Sequence, residues 1–187
     1  MANTALIVCD FQNGIVSRFP GLDPVLDKAA EALEGARAKG DVLIVHIGVR
    51  FRPGHPEISP RNVVFSGIKE AKIFEEGTPQ VEHHPKVAPK AGEVQVSKRR
   101  YGSFSTTELD LILRAHGVHK IVLTGIATQG VILSTVREAF DLDYEVVVLR
   151  DACADQDEEV HRVLLDKVIS KQAKVITVEE YLASLKA

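Results

Sequence analysis

At 187 residues, with 45% hydrophobic and 26% charged residues and a net charge of -3, the chain has the make-up of one globular domain, with a core that needs no disulfide or metal staple. That balance, with no Lys/Arg run interleaved with aromatics, excludes a nucleic-acid surface, and no apolar run approaches the roughly 20 residues that cross a bilayer. Cys9 and Cys153 cannot build a disulfide framework, and Met1 leads into a strand pattern without a leader signal, so a reducing cytoplasm is the expected location.

The first apolar run, 5–9, is unalternating, as in a strand buried on both faces, and it ends at Asp10-Phe11-Gln12-Asn13. Asp23-Pro24 opens a helix that carries Leu26, Ala29, Leu33 and Ala36 inward and closes at Gly40. A second strand follows at 42–47. From 50 to 93 the chain holds Pro53, Pro56, Pro60, Pro79, Pro85 and Pro89, with helical potential confined to 65–74. This segment reads as an excursion that covers the site and helps build a subunit interface, or as a mobile surface loop.

A strand at 94–96 leads to Lys98. The next helix, capped by Ser105 or Thr106, turns Leu109, Ile112 and Leu113 inward and ends near Gly117. Strand 121–123, a Gly-rich turn and a helix over 131–141 come next. Strand 146–149, helix 157–171, strand 175–178 and helix 178–186 complete the chain. Unalternating strands separated by helices predict one three-layer α/β/α domain over 1–187, with a six-stranded parallel, Rossmann-like sheet.

In such a sheet ligands bind beyond the carboxyl ends of the strands, where Asp10, Lys98 and the turn at 125–131 all fall. Asp10 reads as a catalytic carboxylate or as a cap. The Lys98 ammonium reaches across the crevice to lower the pKa of Asp10 and hold it ionised, or is a solvated surface lysine. Of Arg99 and Arg100, one binds a substrate carboxylate, with a surface ion pair as the alternative.

Strand alternation turns Cys9 away from Asp10 and into the core. Cys153 reaches the correct sheet edge one strand over and is a candidate relocated nucleophile. Thr128, Ser134 and Thr135 have no His partner legible in the sequence. His46 lies in an apolar run and His55 among prolines, His83-His84 read as exposed loop residues, and His116, His119 and His161 as helix-end or surface positions. No metal or other cofactor is expected. The first turn lacks Gly-x-Gly-x-x-Gly, which disfavours a nucleotide-binding domain.

Three separated stretches, Ala5-Leu6-Ile7-Val8-Cys9-Asp10-Phe11-Gln12-Asn13, Lys98-Arg99-Arg100-Tyr101-Gly102-Ser103-Phe104-Ser105-Thr106-Thr107-Glu108-Leu109 and Thr124-Gly125-Ile126-Ala127-Thr128-Gln129-Gly130-Val131-Ile132-Leu133-Ser134-Thr135, together resemble the isochorismatase-like cysteine hydrolases over nearly the whole chain. The resemblance implies an Asp, Lys, Cys triad. Its first two members fall on Asp10 and Lys98 and its third on Val131, which cannot attack a carbonyl. It also implies oxyanion amides at Ala127 and Val131 and a non-proline cis peptide between Ile126 and Ala127. Substrate contacts are expected from Phe11, Gln12, Arg100, Tyr101, Phe104, Ala127 and Thr128. The implied partners are a small-molecule substrate and further copies of the chain, as a dimer or tetramer that the apolar Val131-Ile132-Leu133 would help to form.

In the cysteine members the Asp takes the thiol proton and backbone N–H groups stabilise the oxyanion. Some isochorismatases have Gly at the Cys position and hydrolyse a vinyl ether by protonation from the Asp. Two readings follow: a hydrolase working through Asp10 and Lys98 without a Cys, or a catalytically silent small-molecule-binding or scaffolding member. For the first, burial or substrate charge must offset the lowering of the Asp10 pKa by Lys98.

Overall fold

The structure, a computed structural model, describes residues 3–186; Met1, where the strand pattern begins, lies outside them. Six parallel strands, β1 (Thr4–Cys9), β2 (Val42–Val49), β3 (Val94–Lys98), β4 (Lys120–Ile126), β5 (Glu145–Ala154) and β6 (Lys174–Ile176), form one sheet in the order β3-β2-β1-β4-β5-β6. The expected six-stranded parallel sheet is therefore present. Chain order reverses between β1 and β4, the place where open α/β sheets hold ligands.

Strand alternation divides the core in two. Ala5, Ile7 and Cys9 of β1 pack with Leu109, Leu113, Val136 and Leu165 on one face. Leu6 and Val8 pack with Leu26, Leu33, Val178 and Tyr181 on the other. The first face is covered by α4 (Leu109–Ala115), α5 (Leu133–Asp141) and the helical turns Leu164–Val168 and Ile169–Lys171 that continue α6 (Glu158–Val163), the second by α2 (Asp23–Lys39) and α7 (Val178–Leu185). A short α1 (Asn13–Val16) follows β1. Gly40 closes α2 at φ 78°, the left-handed position glycine takes without a Cβ clash.

Local hydrogen bonding explains the boundaries that differ from expectation. Val178 starts α7 instead of ending a strand, because Thr177 and Glu180 form a reciprocal capping box. The hydroxyl next to α4 that accepts from the Leu109 amide, at 3.2 Å, belongs to Thr107 and not to Ser105 or Thr106. The helix expected over 131–141 begins with a π-helical turn at Thr128–Ile132 before α5. The one expected over 157–171 is α6 continued by π-helical Leu164–Val168 and 3-10 Ile169–Lys171. Val131 and Ile132, taken as interface residues, are buried in the chain's own core.

The 50–93 excursion is built around its own small core of Val49, Phe51, Ile58, Phe65, Phe74 and Val81. Its helix, α3 (Val63–Glu70), is capped by the Asn62 side chain and stops short of 74 as Lys72 and Phe74 adopt φ of 52° and 61°. Backbone bonds tie it to the segment after β1: Asn13 N to Glu82 O at 2.8 Å and His84 N to Phe11 O at 2.7 Å. Among the described residues no helix is long and apolar enough to cross a membrane.

Candidate active site

Beyond the carboxyl ends of β1, β3 and β4 lies a cavity of about 640 Å³, lined by Asp10, Lys98, Tyr101, Ala127 and Val131 among others. The roof comes from α3 and the residues after it, through Phe65, Ile68 and Phe74. The excursion thus covers this cavity.

The floor is built from the ends of β1, β3 and β4. Asp10 follows β1 directly and takes φ 60°, a left-handed conformation that Asp tolerates better than most residues. Its Oδ2 accepts from Lys98 Nζ at 2.8 Å, both side chains being buried. The same ammonium donates to the carbonyls of Arg100 at 2.9 Å and Tyr101 at 3.2 Å, which uses its three N–H bonds. Asp10 Oδ1 is buried without a hydrogen-bond partner among the described residues.

Burial pushes the Asp10 carboxyl above its ordinary range, and the charge and hydrogen bond of Lys98 only partly oppose this. The expected net lowering by Lys98 is therefore corrected: desolvation of a nearly enclosed carboxylate exceeds the attraction of one cation. This is the direction a general acid requires.

Val131 occupies the remaining corner, 1% exposed. The Ile126–Ala127 peptide is cis, as the resemblance implies. At Gly125 a Cβ would lie 2.6 Å from Cys9 Cβ and closer still to the Cys9 carbonyl, so glycine allows β4 to approach β1 at the cavity floor. Cys9 faces Ser103, Sγ to Oγ 3.9 Å, and Ser103 Oγ accepts from the Thr135 hydroxyl at 2.9 Å. Burial raises both thiols, Cys153 to about 12, which leaves neither a ready nucleophile.

Of the expected substrate contacts, Tyr101 and Ala127 line the cavity. The others do not, for identifiable reasons. Phe11 is fully buried against α2. Gln12 is a clamp: Nε2 donates to the carbonyls of Val49 at 3.0 Å and Val81 at 2.9 Å, and Oε1 accepts from Val49 N at 2.8 Å. Arg100 turns outward to the Glu57 carbonyl at 3.0 Å and over the Phe65 ring. Phe104 packs against Tyr144, ring centroids 5.7 Å apart. Thr128 is buried beneath the turn, its hydroxyl 2.7 Å from His161 Nδ1 and 3.2 Å from the Ala154 carbonyl. His161, read as an ordinary surface position, is thus a support of the turn.

His46 and His55 are held by a side chain and by backbone. His46 bonds Glu93 at 2.8 Å, and Glu93 in turn accepts two bonds from Arg37. His55 bonds the Ile73 carbonyl at 2.8 Å. His83, expected to be exposed, is buried with both ring nitrogens unpartnered among the described residues. Lining residues missed in sequence include Arg18, Phe65, Ile68, Ile73 and Phe74. For Phe65, Ile68, Ile73 and Phe74 the signal was the apolar content of an otherwise proline-rich segment; Arg18, just after α1, had no such signal.

The Isochorismatase domain model matches residues 4–180. The chain is 31% identical to the uncharacterized isochorismatase family protein YwoC of Bacillus subtilis, covering 98% of this chain and 94% of that one. It is 30% identical to maleamate amidohydrolase of Pseudomonas putida, covering 97% and 86%. An isochorismatase family protein from Burkholderia thailandensis superimposes with a TM-score of 0.84 at 28% identity, over 99% of this chain and 96% of that one. The sheet order, the cavity at its switch point and these matches over nearly the full length agree: the chain belongs to the isochorismatase family of hydrolases.

Proposed function

We propose that the protein hydrolyses a small molecule by general acid–base chemistry at Asp10, without a cysteine nucleophile. The observation that carries this is the Asp10 carboxyl itself. It is buried and held at one oxygen by Lys98, while its other oxygen is without a partner among the described residues, at the floor of a cavity that Val131 also lines, the position where the resemblance implies a thiol.

For a vinyl ether, protonated Asp10 delivers its proton to the terminal alkene carbon, and the ether oxygen shares the resulting positive charge. Water adds to that oxocarbenium carbon and returns a proton to the Asp10 carboxylate. The hemiketal then collapses to a carbonyl and an alcohol. Lys98 stabilises the carboxylate left after the first step and fixes its orientation, while the apolar roof limits water.

Amide hydrolysis is the activity in the names of the Pseudomonas putida relative and of the ureidoacrylate amidohydrolases to which the chain is 32 to 35% identical. In this chain a water activated by Asp10 would have to replace the thiol. The burial of Val131 favours a second reading, a binding protein that has lost its chemistry. Turnover of isochorismate and of small amides, with products followed by mass, separates the two. Activity abolished by Asp10→Asn supports the hydrolase, and a silent wild type with a binding pocket supports the second reading.

A further inference from the structure

The cavity has a second polar pole that the catalytic groups do not use. Arg18, just after α1, lines the main cavity and also an adjoining one of about 480 Å³, so it stands where the two meet. Lys98, the other cation of the main cavity, is committed to Asp10 and two carbonyls. Arg18 has no carboxylate partner among the described residues.

Its guanidinium lies over the Phe74 ring, 5.4 Å from the centroid, which orients the cation while leaving its N–H fork free for an anion. That ring is itself fixed: Phe74 is buried, its amide donates to Gln80 Oε1 at 3.0 Å and its carbonyl accepts from Phe51 N at 2.9 Å. Asp155, which lines both cavities with Arg18, already accepts from the Gln129 amide and side chain and from the Gln156 amide, at 2.8 to 2.9 Å. Much of the wall of the cavity that Arg18 and Asp10 both line is apolar, from Ile15, Phe65, Ile68, Ile73 and Val131.

We propose that Arg18 is the anion anchor of this site and that its ligands are small monoanions with an apolar body, carboxylate at Arg18 and reacting group at Asp10. The orientation of the ligand rests on the Asp10 reading; the anchor itself does not. A planar guanidinium takes a carboxylate through two parallel N–H bonds, and charged hydrogen bonds of this kind carry enough free energy for about a tenfold preference.

Calorimetric titration with 3-phenylpropanoate and its neutral counterpart 3-phenylpropanamide tests this on wild type, Arg18→Gln and Asp10→Asn at low salt. Wild type is expected to bind the carboxylate about tenfold more tightly than the amide. Arg18→Gln should erase that preference while leaving amide affinity unchanged, and Asp10→Asn should retain it. A preference that survives Arg18→Gln overturns the proposal, as does a wild type that fails to bind the carboxylate or favours the amide. Absent turnover with the preference intact rejects the hydrolase reading and leaves the anchor standing.

Discussion

Asp10 Oδ2 and Lys98 Nζ lie 2.8 Å apart in a buried pair, at the ends of strands separated in the sheet by β2. Deleting one partner of such a pair strands the other charge, at a cost of about 3 to 5 kcal/mol. Lys98→Met should therefore destabilise the fold by that order at neutral pH. Without the cation the folded Asp10 pKa rises further above its ordinary 3.8. A group with a raised folded pKa contributes its stability below the unfolded value and loses it as pH rises through the folded one. The deficit of Lys98→Met should hence be larger at pH 8 than at pH 5 in denaturant titrations. Equal deficits at both would remove the electrostatic account of the pair.

Acid should unfold the protein in two overlapping windows. Burial would raise the Glu93 carboxyl, but Arg37, the Lys90 amide and His46 hold it down at about 2, against 4.5 unfolded. Its contribution is present above pH 4.5 and lost as pH falls toward 2. Burial lowers His83 from 6.5 to about 4, so stability tied to the neutral ring begins to decline as pH drops below 6.5. Glu93→Gln should flatten the stability profile in the lower window, and His83→Asn in the upper. A single acid transition unmoved by either variant would contradict this.

Val131→Cys is close to volume-conserving and should cost less than about 1.5 kcal/mol. It places a thiol beside Asp10 at the cavity floor. Alkylation by iodoacetamide, located by peptide mass, is expected at position 131, which lines the cavity with Asp10, ahead of Cys9 and Cys153, whose thiols burial holds protonated. Amide hydrolysis should appear in Val131→Cys and vanish in Val131→Cys combined with Asp10→Asn. A variant thiol no more reactive than the buried cysteines would show that the floor does not support a nucleophile.

The Thr128 hydroxyl, with its one proton donated to the Ala154 carbonyl, accepts from His161 Nδ1. His161→Ala removes a bond worth about 1 kcal/mol that joins α6 to the turn carrying Ala127 and Val131. Amide exchange over 128–132 should accelerate while β1 keeps wild-type protection. Unchanged exchange in the turn would mean that α5 alone holds it.

The layers of the fold were legible because each came from a short-range signal: the unbroken run of β1, Pro24 and Gly40 bounding α2, the apolar spacing of α4. Asp10 and Lys98 were legible as a pair because both end strands of one parallel sheet. Their neighbours were not. Whether Gln12 faces the cavity or clamps Val49 and Val81 depends on where a segment about 70 residues away returns, and no local pattern encodes that return. Arg100 was misread for the same reason, since Phe65 and Glu57, which hold it, belong to the excursion. The sign of the Asp10 shift depends on enclosure by that same roof, which spacing does not report.

The floor and the roof of the cavity are held by separate cores. The floor rests on β1 and β4, paired residue by residue up to Cys9 and Gly125; the roof packs on its own cluster around Phe51, Phe65 and Phe74. Substitutions within the roof change the shape offered to a ligand without disturbing the register that sets Asp10 beside Val131. The architecture therefore allows ligand choice and reaction chemistry to diversify independently during evolution, one by redrawing a surface excursion and the other by exchanging a single side chain after β4.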